Sequence, residues 1–178
     1  MSGVELRGDD VVLRPWRFED APAVERACQD PEISRWIPWV PRPYSRADAD
    51  TYLQGCLESG DERYPFAVVA ETGELLGSID MGLNSQRYRG HIGYWVAAEA
   101  RGQGVCTRAL RLLARWALEE LELQRLELIT DPDNVASQRV AEKVGFRREG
   151  VLRAHLRHPD GRIRDSVVFS LLPGEAVD

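Results

Sequence analysis

No stretch of the chain approaches the ~20 consecutive apolar residues that a membrane-spanning helix requires. Its first ten residues, MSGVELRGDD, hold no basic segment followed by an apolar one, so no signal peptide is expected. Cysteine is scarce: Cys28, Cys56 and Cys106 are odd in number and far apart, with no CxxC or Cys/His spacing. That excludes a disulfide framework and a zinc motif, and the expectation is a reduced, cytoplasmic, metal-free protein. Positive charge is in deficit as well. A net charge of −6 and a pI near 5.2 argue against a nucleic-acid binder and leave room for cationic partners such as amines. Repeats, low-complexity tracts and linkers are all missing, so residues 1–178 are expected to form one domain.

What is present is ordinary globular material, 43% hydrophobic and 29% charged. A chain of this size buries roughly 70% of its extended surface. VVLRPWR (11–17) reads as a strand, and Ala21, Val24, Ala27 and Cys28 are spaced for a helix over 18–28. ISRWIPWVPRPY (33–44) reads as an irregular connection. Ser45 followed by Asp48 resembles a capping box opening a helix through Leu57. The period then changes. PFAVVAE (65–71), ELLGSIDMGL (74–83) and GHIGYWVA (90–97) are three successive strands. A helix over 103–120 carries Leu110, Leu113 and Ala117 on one stripe, widened by Ala109, Leu112 and Trp116. LQRLELIT (123–130) is a strand, SQRVAEKVG (137–145) a short helix, and the rest a hairpin turning at Asp160-Gly161. Consecutive strands pair antiparallel, whereas the strand-helix-strand step over 90–130 calls for a parallel pair. The class is therefore α/β (α+β) with a mixed sheet.

Gly102 and Gly104 stand directly in front of the 103–120 helix. A helix N-terminus presents unpaired N–H groups and the positive end of the dipole, and glycine lets an anion approach the backbone. A nucleoside triphosphate would call for GxxxxGK[ST], which is absent. A dinucleotide would call for a third glycine near the first strand; here Val105, Cys106 and Thr107 follow, late in the chain. The pyrophosphate of coenzyme A is the third candidate, and a plain turn with no ligand is the fourth.

YWVAAEARGQGVCTRAL resembles the acyl-CoA signature of the GNAT acetyltransferases, with Arg101, Gly102, Gln103 and Gly104 in place and Cys106 where that family carries Gly or Ala. DPDNVASQRVAEKVGFRREGVLR resembles the second signature at Asn134, Ser137, Val140, Glu142, Lys143, Gly145 and Phe146. VVLRPWRFEDA and IPWVPRPYSRADA look like the RimJ/RimL branch, which acetylates N-terminal amines of ribosomal proteins. The resemblance implies a mostly antiparallel sheet with a splayed central parallel pair. It also implies acetyl-CoA as co-substrate, with pyrophosphate wrapped by Arg101, Gly102, Gln103, Gly104, Val105, Cys106 and Thr107 and pantetheine bonded near Trp95 and Val96. It further implies an oxyanion donor at a bulge near Val96, contact of Asn134 with the pantetheine arm, and Ser137 as proton donor to the thiolate. Asn134 could instead, or also, cap the following helix.

The general base is not settled by the sequence. The branch is thought to use a glutamate acting through water, and Leu156 stands at that position, beside His155 and His158; His91 and Asp80 are alternatives. Histidine suits proton transfer near neutral pH, and His155 is the first choice. Cys106 at a helix N-terminus could be a reactive thiol, but a packing role is expected. Trp36, Trp39 and Tyr44 either wall an acceptor pocket or plug the sheet. The expected activity is N-acetylation of a primary amine, on a protein N-terminus or a small molecule such as an aminoglycoside or polyamine. A non-catalytic acyl-CoA sensor and a nicotinamide oxidoreductase are the readings set against it. Neither nucleic acid nor membrane is an expected partner, and free sheet edges admit a homodimer.

Overall fold

The computed structural model describes residues 3–175. Cap chemistry decides where its early helices begin. A single 3₁₀ turn at Phe18–Asp20 leads into α1 (Ala21–Cys28). Asp30 then accepts the Glu32 N–H at 3.0 Å and Pro31 fills the first helical position, starting α2 (Pro31–Trp36). This corrects the sequence reading, in which 33–44 was irregular throughout. Six helical residues are too few to show a periodicity, and only the Asp-Pro cap signals them. α3 (Arg46–Leu57) opens with both bonds of the expected box: the Asp48 N–H reaches Ser45 Oγ at 3.3 Å, and the Ser45 N–H reaches Asp48 Oδ2 at 2.8 Å.

Eight strands form one sheet. In chain order they are β1 (Leu6–Arg7), β2 (Val12–Pro15), β3 (Arg63–Val69), β4 (Leu75–Leu83), β5 (Arg89–Val96), β6 (Arg125–Thr130), β7 (Arg147–Arg157) and β8 (Ile163–Leu171). Across the sheet the order is β1-β2-β3-β4-β5-β6-β8-β7, antiparallel everywhere except between β5 and β6. The mixed sheet and its single parallel pair are as the sequence implied; the two-residue β1 was not separated in that reading. β7 and β8 turn at Gly161, whose N–H bonds the His158 carbonyl at 2.9 Å.

Strand alternation divides the apolar residues between two faces. On one face Leu13, Phe66, Ile79, Met81, Ile92, Leu126, Leu128 and Phe169 pack against α4 (Val105–Glu119) and α5 (Val135–Val144). The α4 stripe is as read from sequence: Ala109, Leu110, Leu113 and Ala117 are fully buried, while Leu112 and Trp116 pack at its margin. Each buried leucine contributes roughly 1.5–3 kcal/mol. On the other face α1 and α3 cover Val12, Ala67 and Val69, with Leu75 and Trp95 at the edge of that second core. Residues of β5, β6 and β8 on the same face line a cleft instead. Among the described residues no helix is long and apolar enough to cross a membrane.

Candidate active site

The cleft begins where the sheet comes apart. β5 and β6 pair over four positions only, Arg89↔Arg125 to Ile92↔Leu128, although β5 runs on to Val96 and β6 to Thr130. The Ala97 N–H bonds the Leu76 carbonyl at 2.9 Å, and the Asn84 N–H bonds the Arg89 carbonyl at 3.0 Å. In the unbroken register linking those two bonds, odd-numbered residues of β5 turn their peptide groups to β4. Even-numbered residues turn theirs the other way, so the peptide groups of Tyr94 and Val96 face the gap left by β6. Trp95, named from sequence, has its peptide groups committed to β4; its ring leans on Trp16 with centroids 6.5 Å apart. The bulge expected near Val96 is absent, because β4 and β5 stay in register to Gly77↔Val96. The irregularity lies one strand further over, between β3 and β4 at Val68/Val69.

Beyond the gap the chain makes the glycine turn. Gly102 and Gly104 have φ of +73° and +76°, and Gly104 is the residue before α4. Left-handed backbone of this kind favours glycine over any residue with a Cβ. No side chain caps α4, so the first-turn amides of Val105, Cys106 and Thr107 remain available to an anion. The loop is fastened around those amides. Arg101 donates to the Val96 carbonyl through Nε at 3.2 Å and Nη2 at 3.1 Å and pairs with Asp30 at 2.5 Å. Gln103 Nε2 bonds the Glu99 carbonyl at 2.6 Å, and Arg108 bonds the Gln103 carbonyl at 2.8 Å while pairing with Asp10 at 2.6 Å. The Arg101 guanidinium is thus paired with Asp30, and the first-turn N–H groups of α4 have no side-chain cap. Cys106 is not an activated thiol: burial pushes it well above the ordinary thiol range.

Across the gap, α5 supplies Asn134 and Ser137. Asn134 Oδ1 accepts the Ser137 N–H at 3.0 Å, which is an N-cap. Ser137 Oγ lies 3.0 Å from the Tyr94 hydroxyl. Tyr94 was quoted within the signature but not singled out, and no sequence signal joins residues 43 apart. Burial holds its phenol far above the usual range.

A cleft of about 810 Å³ joins these groups to the aromatic residues of the 36–44 segment. It brings together Trp36, Trp39, Tyr44, Trp95, Asn134, Ser137 and His155, along with Asp80, His91 and Leu156. The glycine loop lies outside it. His158 does too: it is buried at the hairpin turn and lines a neighbouring groove. His155 reaches the cleft through a bulge. Leu152 pairs with Ser166 and Leu156 with Arg164, so Arg153, Ala154 and His155 face only Asp165. Ala154 takes φ +51°, and its N–H is held by Asp165 Oδ1 at 2.8 Å. His155 Nδ1 lies 3.1 Å from Oγ of Ser166, which is fully buried. A two-residue excess in a strand cannot be read from composition, and it brings His155 and Leu156 both to the cleft wall.

Opposite, solvent reaches His91 through the cleft, yet the protein around it lowers its imidazole pKa by desolvation; the Glu127 and Asp80 carboxylates oppose that shift. Asp80 accepts from Arg63 Nε at 2.6 Å. The aromatic trio divides its roles. Trp39 is 63% exposed at the rim, Trp36 stacks with the Arg35 guanidinium 4.5 Å away, and Tyr44 is a core residue with its phenol pushed up by burial.

A family profile described as "Acetyltransferase (GNAT) domain" matches residues 10–147. Over 149 residues the chain is 34% identical to a Bacillus subtilis protein named "Putative ribosomal N-acetyltransferase YdaF", covering 80% of this chain and 79% of that one. It is 28% identical to the spermidine N(1)-acetyltransferase of Escherichia coli over 160 residues, 88% of this chain and 83% of that one. Among solved structures it is similar to Mycobacterium smegmatis RimJ in complex with CoA-disulfide, with a TM-score of 0.82, 27% identity, and coverage of 97% of this chain and 88% of that one.

Proposed function

Because the chain belongs to the GNAT acetyltransferase family, we propose that it is an acetyl-CoA-dependent N-acetyltransferase, moving the acetyl group from the thioester directly to a primary amine. The observation that carries this reading is the opening between β5 and β6. One end of it leads to the uncapped start of α4, and the other to Ser137 and His155. Backbone amides of Val105, Cys106 and Thr107 take the pyrophosphate. The Tyr94 peptide group takes the pantetheine as an added strand, the Val96 carbonyl stays with Arg101, and the Val96 N–H polarises the thioester carbonyl. One preorganised donor of that kind is worth about 2.7–4 kcal/mol in the transition state.

The amine attacks the carbonyl carbon, a C–N bond forms, and the C–S bond breaks. His155, with Nδ1–H donating to Ser166 Oγ, presents Nε2 to accept the amine proton. Ser137 gives a proton to the departing sulfur. Leu156 contributes an apolar wall rather than a carboxylate, leaving the histidine as the base nearest that position.

For the acceptor we favour the α-amine at a polypeptide N-terminus, in line with the relative named for ribosomal acetylation. A second opening of about 1120 Å³ shares Trp36, Val40, Pro41, Asp131 and Arg164 with the cleft, room a short amine does not need. An α-amine with pKa ~7.7–8.0 is also partly neutral at pH 7. A polyamine is the second reading, in line with the spermidine-acetylating relative, although the Asp48, Asp80 and Asp131 carboxylates on the cleft wall are already held by Ser45, Arg63 and Arg164. Thiol release from acetyl-CoA separates them. A free-N-terminus peptide should support turnover, and the same peptide blocked at its amine should not. Turnover with spermidine alone would move the assignment to the small amine. Acetyl-CoA binding without turnover on either would leave a sensor module and overturn the enzyme.

A further inference from the structure

Tyr94 and Ser137 meet across the gap where the sheet opens. The tyrosine hydroxyl has two partners on that one residue, Oγ at 3.0 Å and the carbonyl oxygen at 3.3 Å. Ser137 is also held from behind, since its N–H is bonded to Asn134 Oδ1. Its hydroxyl therefore sits in a fixed place, between the strand that stops pairing and the first turn of α5. A serine hydroxyl has one proton and two lone pairs, so what it does depends on which neighbour donates to it. Tyr94 keeps its proton and has it to donate to Ser137 Oγ, 3.0 Å away. Burial raises its phenol, the Cys106 thiol adds to that, and the bond to Ser137 only partly opposes it. Both partners also line the cleft.

We infer that Tyr94 is a positioning residue for proton delivery: by donating to Ser137 Oγ it frees the serine proton for the cleft and holds the serine oxygen while that proton leaves. This rests on the acetyltransferase reading above. The balance is simple. The C–S bond breaks, the sulfur takes the Ser137 proton, and the oxygen left behind keeps the Tyr94 hydrogen bond. Cleft water then returns a proton to Ser137, and the proton given up by the amine leaves through His155.

The test is a titration of the thiol of bound CoA, followed by thiolate ultraviolet absorbance in the wild type, Tyr94→Phe, Ser137→Ala and the double variant. It needs no acceptor. An ordinary thiol titrates near ~8.5. The hydroxyl pair should hold the bound thiol lower, and either single variant should raise it by about one pH unit, the shift one charge-assisted hydrogen bond produces. The double variant should match Ser137→Ala, because the tyrosine acts through the serine. Turnover should fall about tenfold in Tyr94→Phe with KM for acetyl-CoA held, and the loss should vanish in the Ser137→Ala background. Equal thiol pKa in wild type and Tyr94→Phe would overturn the inference, and so would losses that multiply in the double variant. CoA that fails to bind the wild type would instead bring down the acetyltransferase reading beneath it.

Discussion

Gly102 and Gly104 lie in left-handed backbone in front of a helix that nothing caps. A Cβ at Gly104 would fall 2.9 Å from Arg108 Nη1, the end of a flexible side chain, so conformation rather than space demands glycine there. Gly104→Asp is expected to cost about 1 kcal/mol in the free protein. It should also abolish the rise in Tm that acetyl-CoA produces, by placing a negative charge against the pyrophosphate. His91 yields a pH prediction. Its folded pKa is lowered, so the unfolded chain takes up a proton near pH ~6.5 that the folded chain takes up only at lower pH. The stability tied to the neutral ring is full above the unfolded value and is lost as pH falls through the folded one. His91→Gln should therefore lose less Tm than the wild type on acidification from about pH 7.5 to 5.5, measured by thermal scans. At this scale the sequence singled out Ser137, Asn134 and His155, which share one cleft, because those residues sit in motifs or carry a titratable ring. Tyr94 stayed hidden, because its value lies in a contact with a distant helix.

Among elements, α3 depends on its cap and carries Thr51 and Tyr52 to the cleft. Ser45→Ala removes the bond to the Asp48 N–H and should cost about 1 kcal/mol, seen as a lower urea midpoint with an unchanged slope. The β7 bulge makes the opposite case. Ala154 holds φ +51° without being glycine. Ala154→Gly should be neutral or stabilising by up to about 1 kcal/mol while keeping the N–H that Asp165 holds. If instead the variant loses stability, the alanine methyl carries packing that outweighs its backbone strain. Element types were legible wherever a period ran long enough, as in α4 with its stripe or β3 to β5 with their alternation. What the sequence could not show were features without a period: the six-residue α2, the two-residue β1, and a bulge created by a count mismatch between β7 and β8.

For the molecule as a whole, ligand linkage sets the scale. Acetyl-CoA at a hundredfold excess over Kd should add about 2.7 kcal/mol, or roughly 5–10 °C in Tm for a chain of this size, whereas NADH should add nothing. A flat response to both would return Gly102 and Gly104 to the role of a plain turn. The antiparallel run and the parallel step were legible because connection rules leave few choices, whereas the insertion of β8 between β6 and β7 was not read. That the parallel pair would splay was implied by the resemblance, which pointed to Trp95 and Val96; that pairing ends at Ile92 and leaves the even-numbered Tyr94 and Val96 facing the gap needed the register.

That separation has a mechanical side. Five strands stand on one side of the seam and three on the other, joined by four residue pairs out of an eight-residue β5. The sheet is two plates riveted along half an edge, and whatever lies in the open half is the missing rivet. In the free protein the Tyr94 and Val96 amides should exchange with solvent deuterium quickly, well ahead of Ile92, the last β5 residue in the seam. Filling the gap should slow them toward the rate of the closed part and stiffen the two plates into one.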